Sequence, residues 1–290
     1  MSTTIIPPTT LHVVVGKGEY ASTTATVLTR IMLDDEASLE APNLETVSEL
    51  VFYSKGARLE APRLRIAQDI RIARNGASGL PALEQVLGNL EQQTLGSMEA
   101  PNLQRIKGNL VLHDSAYLNA GELRAIDGSL HAARFAQLRA ANLIAVHEHI
   151  ELEANAAVAL PALVQAGYLQ LGKDSVLTVP EMNTAGDLYL DEGAELGAGE
   201  LEQCGTIYLD HGKELFLPDL TEIIGDLELR QAAQLRAPEL TSIKGDVVLL
   251  PLAELHTGPN SGLTVEGAIQ QDSTAKWDHN PFAPRARVKI

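Results

Sequence analysis

Apolar and polar positions along this chain fall on a lattice of 19 or 20 residues, and the stretch Ala233–Leu249, AQLRAPELTSIKGDVVL, shows the unit most clearly. Its skeleton is Ala-x-Leu-x-Ala-Pro-x-Leu-x-x-Ile-x-Gly-x-Leu-x-Leu, repeated about eleven times between Ala37 and Leu249. The register can be counted on one column of small or ring-closed residues: Pro42, Pro62, Pro81, Pro101, Gly121, Ala141, Pro161, Pro180, Gly199, Pro218 and Pro238. Two residues later every copy carries Leu, except for Met182. Three residues before it the column is apolar from Leu39 to Leu235, with Ser78 as the exception. Each copy closes on an alternating pair such as Leu110 and Leu112, Leu188 and Leu190, or Ile207 and Leu209. That period of two predicts a β-strand with its intervening residues facing outward.

Fixed-period self-similarity of this length is the signature of a solenoid, in which one coil cannot bury its apolar face alone and stacking supplies the core. No stretch carries an uninterrupted helical stripe of the length a helix needs. The expected fold is therefore all-β: a right-handed parallel β-helix, or β-solenoid, of about eleven to twelve 19–20-residue coils, its hand following the rule for parallel crossovers. Residues 1–36 read as a lead-in with capping strands, Leu11–Val15 and Ile31–Leu33 among them, and 37–272 as the solenoid repeats. Residues 273–290 read as a C-terminal cap and basic tail, with Trp277 and Phe282 plugging the last coil and Arg285–Lys289 supplying the charge.

Charge narrows the partners. Lys and Arg total 22 against 38 Asp and Glu, a formal charge of -16. Such a surface disfavours nucleic acid and anionic membrane and suits a basic protein partner. The single cysteine, Cys204, admits no internal disulfide, which fits a reducing compartment. It is read as a small structural residue, since no catalytic motif flanks it. With no stretch of signal-peptide or membrane-span type, the cytoplasm is the expected location, delivery by a route without a Sec signal staying open.

The segment Leu-x-x-Ile-x-Gly-x-Leu-x-Leu resembles the repeat of leucine-rich-repeat-like β-solenoids, especially the L-domain type of receptor ectodomains. Leu39-Glu-Ala-Pro-Asn-Leu44 and Leu59-Glu-Ala-Pro-Arg-Leu64 are similar to the Leu-Glu-Ala-Pro-x-Leu repeats of uncharacterised bacterial and phage proteins. The resemblance spans Ala37 to Leu249 and implies a protein-recognition scaffold, by association of fold. The chain departs from the ordinary leucine-rich repeat in having no helix per repeat, no asparagine ladder and no cysteine-rich modules.

Because the repeat skeleton is committed to the coil, recognition belongs to the variable outward slots beside the closing strand. Two patches emerge there. His113, His131, His149, Glu151 and Glu153 fall on three neighbouring coils, with residue types suited to zinc or nickel or to a general base. Strand spacing puts them on a diagonal without a metal motif, so no metal, cofactor or catalytic residue is assigned and solvated histidines are the expected reading. Tyr168, Tyr189 and Tyr208, with Asp187, Asp191, Asp210, Asp226 and Glu228 around them, form the expected binding face. Rigid tyrosines offer contact area at low entropy cost, and carboxylates beside them suit Arg or Lys. The expected function is a protein-binding solenoid, an inhibitor or immunity-type partner of a basic protein. The alternatives are a polysaccharide-binding or polysaccharide-acting β-helix and a self-assembling structural protein, with oligomeric state open.

Overall fold

The computed structural model describes residues 3–53, 56–73, 75–259 and 261–278. They form an all-β parallel solenoid of about 14 turns of roughly 20 residues, with no helix among the described residues. The chain divides into two compact units, Met1–His147 and Glu148–Ile290.

Each turn is three short strands joined at three corners, and the repeat skeleton explains each corner. The first is the Ala-Pro-x-Leu segment, closed by a bond from the leucine N–H to the carbonyl three residues back, as in Leu44 to Ala41 (3.1 Å) and Leu103 to Ala100 (3.0 Å). This is a β-turn with proline at its second position, where a fixed φ near −65° is already correct. Gly121 and Ala141 keep the same turn, with Leu123 bonded to Ala120 and Leu143 to Ala140.

The second corner follows the closing strand and is also a four-residue turn, for example Ala116 N–H to His113 C=O at 2.9 Å. Its third residue is left-handed in copy after copy: Asn75, Ser115, Asn155 and Gly193, but also Leu95 and Phe135, all have φ between 58° and 72°.

The third corner falls at Gly-x, between the short second strand and the closing strand. In the first unit Asp69 Oδ1 accepts from the backbone N–H of Asn89, Asn89 Oδ1 from Asn109, and Asn109 Oδ1 from Ser129, each at 2.8 Å. In the second unit the chain of bonds runs from Asp187 to Thr206 (2.7 Å), Thr206 Oγ1 to Asp226 (3.3 Å), Asp226 to Asp246 (2.7 Å) and Asp246 to Ala268 (2.7 Å). Side-chain oxygens of one turn thus satisfy the corner amide of the next. The glycine is obligatory for close approach: a Cβ on Gly108 or Gly245 would collide with the ladder oxygen and with the carbonyl of the glycine one turn before. The asparagine ladder absent from the sequence reading is therefore present in mixed form. It is written in Asp, Asn and Thr, at the slot after glycine except for Asp69, which follows Gln68 inside the strand Ile66–Ile72, and this is why a search for an asparagine column passes over it.

In the first unit, parallel pairing stacks Thr3–Ile6, Tyr20–Thr23, Ser38–Glu40 and Arg58–Glu60 in one ladder, and Ala77–Gly79, Ser97–Glu99, Tyr117–Asn119 and Gln137–Arg139 in another. Where the Gly-x corner is missing, the second and third strands run together, as in Val27–Leu33, Thr46–Phe52 and Ile66–Ile72. Tyr20–Thr23 stands in register with Ser38–Glu40, Ala21 opposite Leu39, so these residues form full turns without the Ala-Pro-x-Leu signature. That accounts for the turns beyond the expected eleven to twelve.

In the second unit the corresponding strands are Ala157–Ala159, Val176–Thr178 and Glu195–Gly197, then Glu214–Phe216, Gln234–Ala237, Glu254–Thr257 and Lys276–Asp278. Trp277 pairs opposite Leu255 and is buried, taking the leucine slot of its turn. Phe282 and Arg285–Lys289 lie outside the described residues.

The core is the inward columns. Every Leu of the post-proline column from Leu44 to Leu240, and Met182, has no exposed surface. Cys204 sits in the isoleucine column opposite Ile223, fully buried, and burial pushes its thiol far above the usual range.

A candidate binding face on the closing strand

The closing strands of the second unit hold their outward residues in three columns, fixed by strand pairing. Tyr189 is opposite Gln170 on one side and Tyr208 on the other, and Tyr208 is opposite Glu228. Tyr168 stands two residues before Gln170, so it enters the strip from the neighbouring column and leans across.

The rings form one continuous stack. His149 meets Tyr168 edge-on, centroids 5.4 Å apart and planes at 83°. Tyr168 and Tyr189 are 5.1 Å apart and tilted by 40°, as expected for rings from adjacent columns. Tyr189 and Tyr208, which share a column, are 5.6 Å apart at 25°. The Arg230 guanidinium then covers Tyr208, its Cζ 4.7 Å from the ring centroid. All three tyrosines are half-buried. Such stacking is favourable by about 0.5–1.5 kcal/mol per pair beyond the area it covers. It also holds each ring in one orientation, so little rotamer entropy remains to be lost on contact with a partner.

Carboxylates flank the stack. Asp191 and Asp210 occupy the slots after Leu190 and Leu209, which pair directly, so the two acids sit on adjacent turns. Burial, and then the charge of Asp210, raises the Asp191 carboxyl above the ordinary aspartate value. Burial acts on Asp210 in the same direction, but hydrogen bonds from His211, whose Nδ1 is 2.7 Å from Asp210 Oδ1, outweigh it and hold this carboxyl low. Partial burial and then the neighbouring Tyr189 raise the Tyr168 phenol, so it stays neutral and able to donate; its hydroxyl does so to Gln170 Oε1 at 2.9 Å. Burial raises the Tyr208 phenol too, against the opposing charge of Arg230.

The eight residues expected at this face divide by role. Tyr168, Tyr189, Tyr208, Asp191, Asp210 and Glu228 form the strip and its flank. Asp187 and Asp226 belong to the corner ladder, each spending a carboxylate oxygen on the next turn's amide. Two members were missed. His149 caps one end as an aromatic, and Arg230 caps the other while its Nε donates to Glu228 Oε1 at 3.1 Å. Arg230 occupies the same slot as Asp191 and Asp210, so reading that column through its change of sign would have found it.

The histidine patch is divided: His113 and His131 belong to the first unit, His149 and Glu151 to the second. His113 Nε2 is 3.4 Å from Glu91 Oε1, and His149 is committed to the ring stack. Among the described residues no group of three or more His, Cys, Asp or Glu is placed to hold a metal ion. The chain matches no protein-family model, no curated protein and no solved structure, which leaves this geometry as the ground for a functional reading.

Proposed function

We propose that the chain is a protein-binding solenoid that recognises a basic protein through the tyrosine strip and its carboxylates, as an inhibitor or immunity-type partner would. The observation that carries this is the stack Tyr168–Tyr189–Tyr208, held at 5.1 and 5.6 Å with Asp191, Asp210 and Glu228 alongside. Pre-oriented aromatics rimmed by carboxylates offer a cationic partner both contact area and charge complementarity. The formal charge of -16 steers such a partner in. Kinship with L-domain-like and Leu-Glu-Ala-Pro-x-Leu repeats is part of the same proposal, supported by the Ala-Pro-x-Leu and Ile-x-Gly-x-Leu columns. Polysaccharide binding is the weaker reading, because sugars stack on open ring faces and those of Tyr168 and Tyr189 are covered by their neighbours.

The test uses a fluorescent oligo-arginine peptide as probe and reads anisotropy at physiological salt. Tyr189→Ala/Tyr208→Ala with Asp210→Lys is expected to weaken binding by about tenfold or more, as loss of interface hot spots does. Glu122→Lys, the same change of charge at an exposed site in the first unit, is expected to leave it nearly unchanged. Equal losses from both variants would overturn the proposal.

A further inference from the structure

A tyrosine ring receives a planar cation on its face, and in this strip neighbouring side chains already crowd those faces. His149, Tyr168, Tyr189 and Tyr208 cover one another in order, and Arg230 covers the last face. The four aromatic covers stand on paired strands, Tyr189 directly opposite Tyr208, and each turns about only two side-chain torsions. Arg230 is a different kind of cover. Its side chain is long and 42% exposed, and its hydrogen bond runs to Glu228, two residues away in its own segment. It can swing off Tyr208 without moving any backbone.

The chemistry at that face is already that of an arginine site. A guanidinium lies over the ring at cation–π distance, its Nε is held by the Glu228 carboxylate, and Asp210 is close enough to stabilise its charge. Glu228 lies directly opposite Tyr208 in the ladder, so ring and carboxylate are positioned by the sheet, independently of Arg230.

We propose that Arg230 is an internal stand-in for an arginine of the partner. The outer face of Tyr208, with Glu228 and Asp210 beside it, is a guanidinium subsite that the chain fills itself and yields when a partner's arginine displaces it. This rests on the protein-binding reading above and adds to it which residue of the partner is taken and where. The exchange is non-covalent: one guanidinium leaves the ring and the carboxylate, and another takes both. Lysine is the poorer occupant, since an ammonium neither stacks on the ring nor forks onto a carboxylate. Self-occupation also serves the free protein by keeping Glu228 and the Tyr208 face paired.

The experiment compares oligo-arginine and oligo-lysine peptides of equal length binding to the full chain. The variants are Arg230→Ala, Arg230→Ala/Tyr208→Ala and Arg236→Ala. Arg236 pairs with Glu214 at 3.1 Å on the Glu214–Phe216 and Gln234–Ala237 ladder, so its loss changes the charge equally but away from the strip. Arg230→Ala is expected to tighten oligo-arginine binding by about two- to thirtyfold, the span of a cation–π contact, and oligo-lysine binding less. Arg236→Ala should change neither, and the double variant should lose the gain. Equal gains from Arg230→Ala and Arg236→Ala, or equal gains for both peptides, would reduce the effect to net charge and overturn the subsite. If Arg230→Ala gains nothing while Tyr189→Ala/Tyr208→Ala still loses binding, the subsite falls and the strip stands. If neither set of variants changes binding, the strip itself is not the binding face.

Discussion

Gln92 allows a prediction whose sign runs against the usual effect of a core substitution. It occupies an inward slot of the closing strand, between Ile72 on one turn and Leu112 on the next, where most copies carry Leu or Ile and the exceptions include Phe52, Ala132 and, on the last paired turn, Gln271. Its side chain is fully buried, and among the described residues neither amide atom has a hydrogen-bond partner. Leaving one buried polar group unmatched costs about 1–3 kcal/mol, and leucine of similar size fills the same space without that cost. Gln92→Leu is therefore expected to stabilise the protein by about 1–3 kcal/mol, although most core substitutions destabilise. Urea unfolding followed by far-ultraviolet circular dichroism should show the midpoint rising with an unchanged slope. The reciprocal change, Leu112→Gln, should cost at least about the same amount by the same mechanism. A loss of stability in Gln92→Leu would refute the reasoning, because it would mean that the amide contributes bonds the apolar column cannot replace.

Three further outcomes follow from the corners and the small-residue column. Gly245→Ala would drive a Cβ into Asp226 Oδ1 and the Gly225 carbonyl, so it is expected to destabilise by about 1–3 kcal/mol in thermal unfolding, whereas Gly121→Ala, with open space around it, should be nearly neutral. Asp226→Ala removes the acceptor for Asp246 N–H and should cost about 1 kcal/mol, with the loss vanishing in an Asp226→Asn variant that keeps the oxygen. Lys213 stands, buried, where the neighbouring turns place Ala194 and Ala233, and burial lowers its pKa against the raising effects of Glu195 and Glu214. Its folded pKa is thus below its unfolded one, so the folded state gains on the unfolded as pH rises from neutrality through that folded value toward the ordinary lysine value of about 10.4. Lys213→Ala should be the more stable form at pH 7, with the advantage shrinking as pH approaches 10; a constant difference across that range would show that the ammonium is not what costs stability.

The repeat was legible because its chemistry is single-purpose. A turn that needs fixed φ at its second residue selects Pro42 and its successors, and a slot with no exposed surface selects leucine, so both leave columns that can be counted. The corner ladder was harder to see. Any short side chain that carries an oxygen can accept the next turn's amide, Asp226 through Oδ1 at 2.7 Å and Thr206 through Oγ1 at 3.3 Å, so no single letter repeats. The outermost turns escaped for a related reason: Tyr20–Thr23 pairs through its backbone, and backbone pairing needs no particular side chain.

At the candidate face, the column count put Tyr189 beside Tyr208 correctly, because strand register is what counting measures. It could not show that Tyr168 leans over from the next column, that His149 joins edge-on, or that Arg230 lies over a ring, since these depend on side-chain torsions. Nor could it separate Asp187 and Asp226 from the flanking acids. Outward slots look alike in sequence whether their oxygens face solvent or the next corner.

The chain's tyrosines offer the most direct test of where it binds. There are six: Tyr168, Tyr189 and Tyr208 in the strip, and Tyr20, Tyr53 and Tyr117 in the first unit. Selective isotope labelling of tyrosine, followed by NMR titration with the oligo-arginine peptide, reads all six at once under one ionic strength. The strip account predicts saturable shifts of the Tyr168, Tyr189 and Tyr208 ring resonances while Tyr20, Tyr53 and Tyr117 stay in place. Shifts spread over all six, or confined to the other three, would contradict it.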